Sequence, residues 1–111
     1  MPDPLELTPQ EAAARLKGEN PPAIIDVREP EEFALARLEN ARLIPMQAIP
    51  AEFQRLESLS DDADLLVFCH HGVRSLQVVN WLREHGIENC YSVTGGLDRW
   101  SREIDPGIPR Y

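Results

Sequence analysis

Asp64-Leu65-Leu66-Val67-Phe68-Cys69-His70-His71-Gly72-Val73-Arg74-Ser75 is the stretch whose reading decides the fold. An apolar run of strand length ends in a cysteine, crosses a short loop holding one glycine, and enters an amphipathic segment that begins with Ser75. Strand, tight loop and helix start, in that order, set a sulfur over backbone N–H groups at a helix N-terminus. The partial positive charge there favours an anion. A thiolate gains from such surroundings and a thiol does not, so Cys69 reads as a candidate nucleophile.

Working outward, the same alternation of short apolar runs and helical patterns continues in both directions. Thr8-Pro9-Gln10-Glu11 has the form of a capping box with proline at the first helical position, predicting a helix from about Pro9 to Lys17 that Gly18 stops. Ala23-Ile24-Ile25-Asp26-Val27 is short and β-branched and reads as a buried strand carrying one acid. Pro30 to Leu35 reads as a short helix with acids in its first turn, and Arg42 to Ile44 as a second strand. Pro50 to Leu59 has Phe53, Leu56 and Leu59 at helical spacing, and a longer helix runs from about Ser75 to His85, with Gly86 as its stop. Ile87 to Val93 supplies one more strand, Gly95-Gly96 a sharp turn, Leu97 to Glu103 a last helix, and Asp105 to Tyr111 an irregular tail. Strands alternating with helices predict an α/β fold with a mainly parallel sheet covered on both faces. Ligands of such sheets sit beyond the carboxyl ends of the strands, where Cys69 and the residues after Val27 fall.

At 111 residues, with 42% hydrophobic and 27% charged side chains and no repeat or linker, the whole chain, 1–111, is expected to form one domain. The formal charge of −8 argues against nucleic-acid and anionic-membrane partners, which select for basic surfaces. Met1-Pro2-Asp3-Pro4 has neither the basic nor the apolar region of a leader, so a cytoplasmic location is expected. Cys69 and Cys90 are then expected to be reduced, Cys90 as a buried structural residue. Adjacent His70 and His71 seldom face one ion, and no metal or other cofactor is expected. His85 before Gly86 suits a helix C-terminus, and Trp81 and Trp100 suit packing.

Three segments resemble the rhodanese family of sulfurtransferases over nearly the whole chain: Ile25-Asp26-Val27-Arg28-Glu29-Pro30-Glu31-Glu32-Phe33, the loop from Cys69 to Ser75, and Gly95-Gly96-Leu97-Asp98-Arg99-Trp100. The chain departs from the family's usual Gly-His-Ile-x-Gly-Ala at Ala36-Arg37-Leu38-Glu39-Asn40-Ala41, where an altered turn is expected. The resemblance implies a central, mainly parallel sheet of five strands flanked by helices. It also implies a two-step reaction in which Cys69 takes the outer sulfur of a small anionic donor such as thiosulfate, becomes a persulfide, and passes that sulfur to a thiophilic acceptor: cyanide, a thiol or a protein.

Within that frame each loop residue has an expected part. Backbone N–H groups from His70 through Ser75, including Val73, should surround the sulfur, with Gly72 permitting the curl. Arg74 should hold donor oxygens with its fork of N–H groups. His70 and His71 should tune polarity or access. Asp26 and Arg28 should brace the loop by hydrogen bonds. Two alternatives accompany this reading: a relay or binding module that serves a protein partner, and a cysteine phosphatase or arsenate reductase, whose anions want a similar ring of amides. Four residues lie between Cys69 and Arg74, against five in the phosphatase signature, which favours the sulfur reading.

Overall fold

The structure, a computed structural model, describes residues 4–111, so the leader-like features sought at Met1 to Asp3 lie outside it. Leu65–Phe68, β4, carries four apolar side chains that are all fully buried. Side chains alternate across a strand, so both faces of the sheet at β4 must be covered. Leu65 and Val67 enter one apolar core and Leu66 and Phe68 the other.

Around β4 the sheet is assembled from β1 (Glu6–Leu7), β2 (Ala23–Asp26), β3 (Arg42–Leu43) and β5 (Cys90–Val93). The spatial order is β1-β5-β4-β2-β3 and every pairing is parallel. Parallel neighbours need crossover helices, and these supply the covers. α3 (Phe53–Asp62) and α4 (Val73–Glu84) seal the core that holds Val67 and Cys69. α1 (Pro9–Leu16) and α5 (Gly96–Glu103) seal the other, where Trp100 meets Phe68 edge-to-face with ring centroids 5.3 Å apart. α2 (Pro30–Leu35) buries no residue and lies across the carboxyl end of β2. The expected mainly parallel, five-stranded α/β sheet with helices on both faces is the architecture found.

Differences from the sequence reading are local. The two-residue β1 and a 3-10 turn at Met46–Ala48 were not anticipated, being too short for any period to register. α4 begins at Val73, two residues earlier than expected, because Gly72 at φ 95° already acts as its N-cap. At the altered segment, Asn40 takes φ 67°, the left-handed conformation that glycine favours and asparagine tolerates, so this replacement does not itself require a different turn. Among the described residues no helix is long and apolar enough to cross a membrane.

Phe68→Ala removes a fully buried ring from between β4 and α5. It should cost about 3–5 kcal/mol of stability, read as a lower urea midpoint with little change in the slope of the transition.

Candidate active site

The site begins where β4 runs out. Val67 faces the α4 core, so Cys69, two residues on, points the same way and lies 1% exposed beneath the start of α4. Its Sγ accepts hydrogen bonds from Gly72 N–H at 3.0 Å and Ser75 N–H at 3.3 Å, and lies 3.4 Å from Ser75 Oγ. The sulfur therefore occupies the place of a capping acceptor at the N-terminus of α4, where unpaired helix amides and the positive dipole end coincide. Ser75 Oγ is in turn 2.7 Å from Ser92 Oγ on β5. Both hydroxyls are buried, so the pair can rotate to donate to the sulfur or accept from it without help from water.

Of the amides expected around the sulfur, those of Gly72 and Ser75 are the ones that reach it. The loop is held in this shape from below. Leu97 N–H donates to Cys69 C=O at 2.8 Å and Asp98 N–H to His70 C=O at 3.0 Å, so the first turn of α5 takes the loop's carbonyls. Bound to α5 through the Cys69 and His70 carbonyls, the loop is fixed where it leaves β4, and the Gly72 and Ser75 N–H groups further along meet the sulfur. The approach is close enough to require glycine: a Cβ on Gly96 would stand 2.6 Å from the His70 carbonyl carbon, and φ is +58°.

Arg74 is not an open fork. Its two terminal nitrogens hold the Glu32 carboxylate at 2.7 and 3.0 Å. Glu32 also accepts from Glu29 N–H at 2.9 Å, closing a capping box on α2, and from Tyr111 Oη–H at 3.0 Å. The Arg74 hydrogen bonds, outweighing partial burial, bring the Glu32 carboxyl down to about 2, and the same bonds raise Arg74. A charged carboxylate within reach takes the bidentate geometry that a donor anion was expected to use.

Asp26 and Arg28 are also placed differently from expectation. Both are buried, and Asp26 takes three hydrogen bonds from the Arg28 side chain between 2.7 and 3.1 Å, plus its N–H at 3.1 Å. The rest of the guanidinium donates to Glu32 C=O, Ala36 C=O and Tyr111 Oη, at 3.3, 2.5 and 2.6 Å. These bonds secure α2 and the tail rather than the Cys69 loop. The brace reaches the loop at second hand, through Glu32 to Arg74 and through Tyr111 to His70.

His70 is half-buried and sandwiched, with the Tyr111 ring stacked at 4.0 Å and 10° and the His71 ring at 4.0 Å and 30°. Burial first, then the neighbouring His71, lowers its pKa, which favours the neutral ring. Its Nε2 is buried and has no hydrogen-bond partner. His71 and Val73 are exposed on the rim. Cys90 is buried and makes a 3.4 Å contact from Sγ to Ile87 C=O, in keeping with a packing role, and both cysteines are free. Among the described residues no three His, Cys, Asp or Glu side chains gather as a metal site would require.

Glu32, Ser92 and Tyr111 were missed in the sequence. Glu32 had a signal, the Glu29-x-x-Glu32 spacing of a capping box. Ser92 and Tyr111 had none, since their partners lie 17 and 83 residues away in the chain.

Comparison with known proteins bears on this geometry. The family model described as Rhodanese-like domain matches residues 8–103. Rhodanese-like/PpiC domain-containing protein 12, chloroplastic, of Arabidopsis thaliana is 38% identical over 89 residues, 79% of this chain and 30% of that protein, so the chain spans under a third of this relative. Thiosulfate sulfurtransferase GlpE of Actinobacillus succinogenes is 35% identical over 104 residues, 94% of this chain and 87% of its own. The crystal structure of a rhodanese-like domain protein from Staphylococcus aureus superposes with a TM-score of 0.76 at 34% identity, covering 96% of this chain and 97% of that one.

Two outcomes follow from the site. Gly96→Ala should displace the loop and destabilise the fold by roughly 1–3 kcal/mol, seen as a lower melting temperature together with faster alkylation of Cys69. In an NMR titration the Glu32 carboxyl should show a midpoint of about 2, rising toward the ordinary 4.5 in Arg74→Gln. Because the folded-state value is depressed, the pair's stabilisation is present above pH 4.5 and is lost as pH falls toward 2.

Proposed function

The chain belongs to the rhodanese-like domain family, and from that premise we propose that its 111 residues act as one sulfurtransferase domain with Cys69 as the nucleophile. The observation that carries the reading is the sulfur held by Gly72 and Ser75 N–H groups at the start of a helix. Hydrogen bonds to a charged acceptor contribute about 1.5–3 kcal/mol each, and these two are in place before any substrate arrives.

The thiolate of Cys69 attacks the outer sulfur of thiosulfate. The sulfur–sulfur bond of the donor breaks, sulfite leaves with its electron pair, and Cys69 carries a persulfide. A thiophile such as cyanide then attacks the terminal sulfur and departs as thiocyanate, returning the thiolate. One difficult transfer is divided into two easier ones. During both steps the charge remains on sulfur within reach of the same cradle, so little reorganisation is required. Ser75 and Ser92 serve as a rotating hydroxyl pair that follows the charge. Arg74, fixed by Glu32, contributes positive field to the site and not a free clamp on the donor.

The acceptor has a second reading, a protein thiol rather than a small molecule. It is favoured by Val73, which stands 65% exposed on the rim one residue after the loop glycine. A phosphatase is disfavoured by the loop length, since four residues and not five separate Cys69 from Arg74. The two unpaired cysteines fit a reducing compartment, and we place the protein in the cytoplasm.

Intact-mass spectrometry after thiosulfate treatment should find one added sulfur that maps to Cys69 and is removed by cyanide. Cys69→Ala should lose both the adduct and thiocyanate formation while retaining the folded far-UV circular dichroism spectrum. Turnover of phenyl phosphate that disappears in Cys69→Ser would overturn the assignment.

A further inference from the structure

Of the eleven lysine and arginine side chains in the protein, seven lie within ion-pairing distance of a carboxylate. Arg83 holds the backbone carbonyls of Pro4 and Cys90. The other three, Lys17, Arg37 and Arg42, have no carboxylate partner among the described residues, in a chain that carries nineteen acids. All three are exposed and line a single groove of about 910 Å³. Surplus acid would be expected to leave no exposed cation unsatisfied, and random placement would not gather the exceptions in one place.

The groove lies where β2 and β3 begin, at the end of the sheet opposite Cys69. Its floor is apolar, formed by Ile24, Leu38, Trp100 and Ile108, and its wall includes the half-buried Leu16 and Ile104. It also includes the segment from Arg37 to Asn40 in which this chain departs from its family's usual motif. We propose that this groove binds an acidic peptide segment of a partner protein, in which carboxylates flank an apolar side chain. The proposal is independent of the chemistry at Cys69.

Several features select a peptide over a compact anion such as phosphate. Lys17 follows α1, Arg37 follows α2 and Arg42 lies in β3, so the cations come from three separate segments around the groove. α1 and α5 both end at the groove, turning the negative ends of their dipoles toward it, which opposes a dense charge placed on the floor. Glu39 and Asp105 share the lining, and Asp105 Oδ1 is taken up by Gly107 N–H at 3.0 Å. Carboxylates spaced along a chain can meet the long cationic side chains at the rim while an apolar residue sits over the floor. Arg37 is steadied for this, its guanidinium carbon lying 4.8 Å from the Phe33 ring centroid. Elsewhere the net charge of −8 repels an acidic segment, which confines it to this face.

The test is an amide NMR titration of the full chain with an octapeptide holding a central Leu-Trp pair flanked by glutamates, alongside a twin with lysines in place of the glutamates. The glutamate peptide should shift resonances of residues 23–24, 37–42 and 104, and bind at least tenfold tighter than its twin. The double variant Arg37→Glu/Arg42→Glu should weaken binding tenfold or more, and the milder Arg37→Gln/Arg42→Gln should weaken it less. Sulfur transfer from thiosulfate to cyanide should be unchanged in both. Absence of shifts at millimolar peptide, equal binding of the lysine twin, binding unaffected by the double variants, or shifts centred on the Cys69 loop would each overturn the proposal.

Discussion

The hydrogen bonds from Leu97 and Asp98 N–H to the carbonyls of Cys69 and His70 are the constraint on which the site depends. The four-residue loop from Cys69 to Gly72, between β4 and α4, could set its peptides in either sense. The first turn of α5 decides between them by binding the oxygens, and the left-handed glycines at Gly95 and Gly96 allow its amides to come that close. Two helix N-termini thus act on one loop from opposite sides. α5 binds its carbonyls, and α4 offers its amides to the sulfur. The Gly-Gly segment, well away from Cys69 in sequence, is as much a part of the cradle as Gly72.

A second layer surrounds this one and is built on a buried charge. Arg28 is fully buried, and removing either member of a buried pair leaves the other uncompensated at a cost of about 3–5 kcal/mol. That cost is avoided only because every part of its guanidinium is engaged, by Asp26, by the carbonyls of Glu32 and Ala36, and by Tyr111. The consequence is mechanical. The carboxyl end of β2, the whole of α2 and the end of the chain are tied to one planar group. From it the Glu32–Arg74 pair and the Tyr111–His70 stack extend to the loop.

What the sequence disclosed and what it withheld divide along the same line. The parallel sheet was legible because β4 is apolar at every position, as a strand buried on both faces must be, and because the capping box at Thr8 marks its helix without ambiguity. Cys69 was legible because strand, cysteine and glycine loop are contiguous. The partners of the charged residues were not. Arg74 reads as a free donor until the fold sets Glu32, 42 residues away, against it. Arg28 reads as a loop brace until its buried position shows that it must first satisfy Asp26 and α2. Contacts set by tertiary packing leave no period or spacing behind, so motif reading places the cysteine at its loop and misassigns the ions around it.

The distribution of ion pairs also separates the two ends of the sheet. At the carboxyl ends of the strands the cations are closed into networks with Asp26 and Glu32, so the field acting on Cys69 is fixed by geometry and resists changes in salt or side-chain motion. At the opposite ends Lys17, Arg37 and Arg42 stand over an apolar floor without such partners. The proposed charge on a single sulfur gains from saturated, rigid neighbours. A surface that must admit a partner gains from long side chains whose pairing is deferred until contact. The chain thus carries a finished electrostatic environment at one end of its sheet and an unfinished one at the other. Because α5 begins under the Cys69 loop and ends at the groove, the same short helix forms part of both.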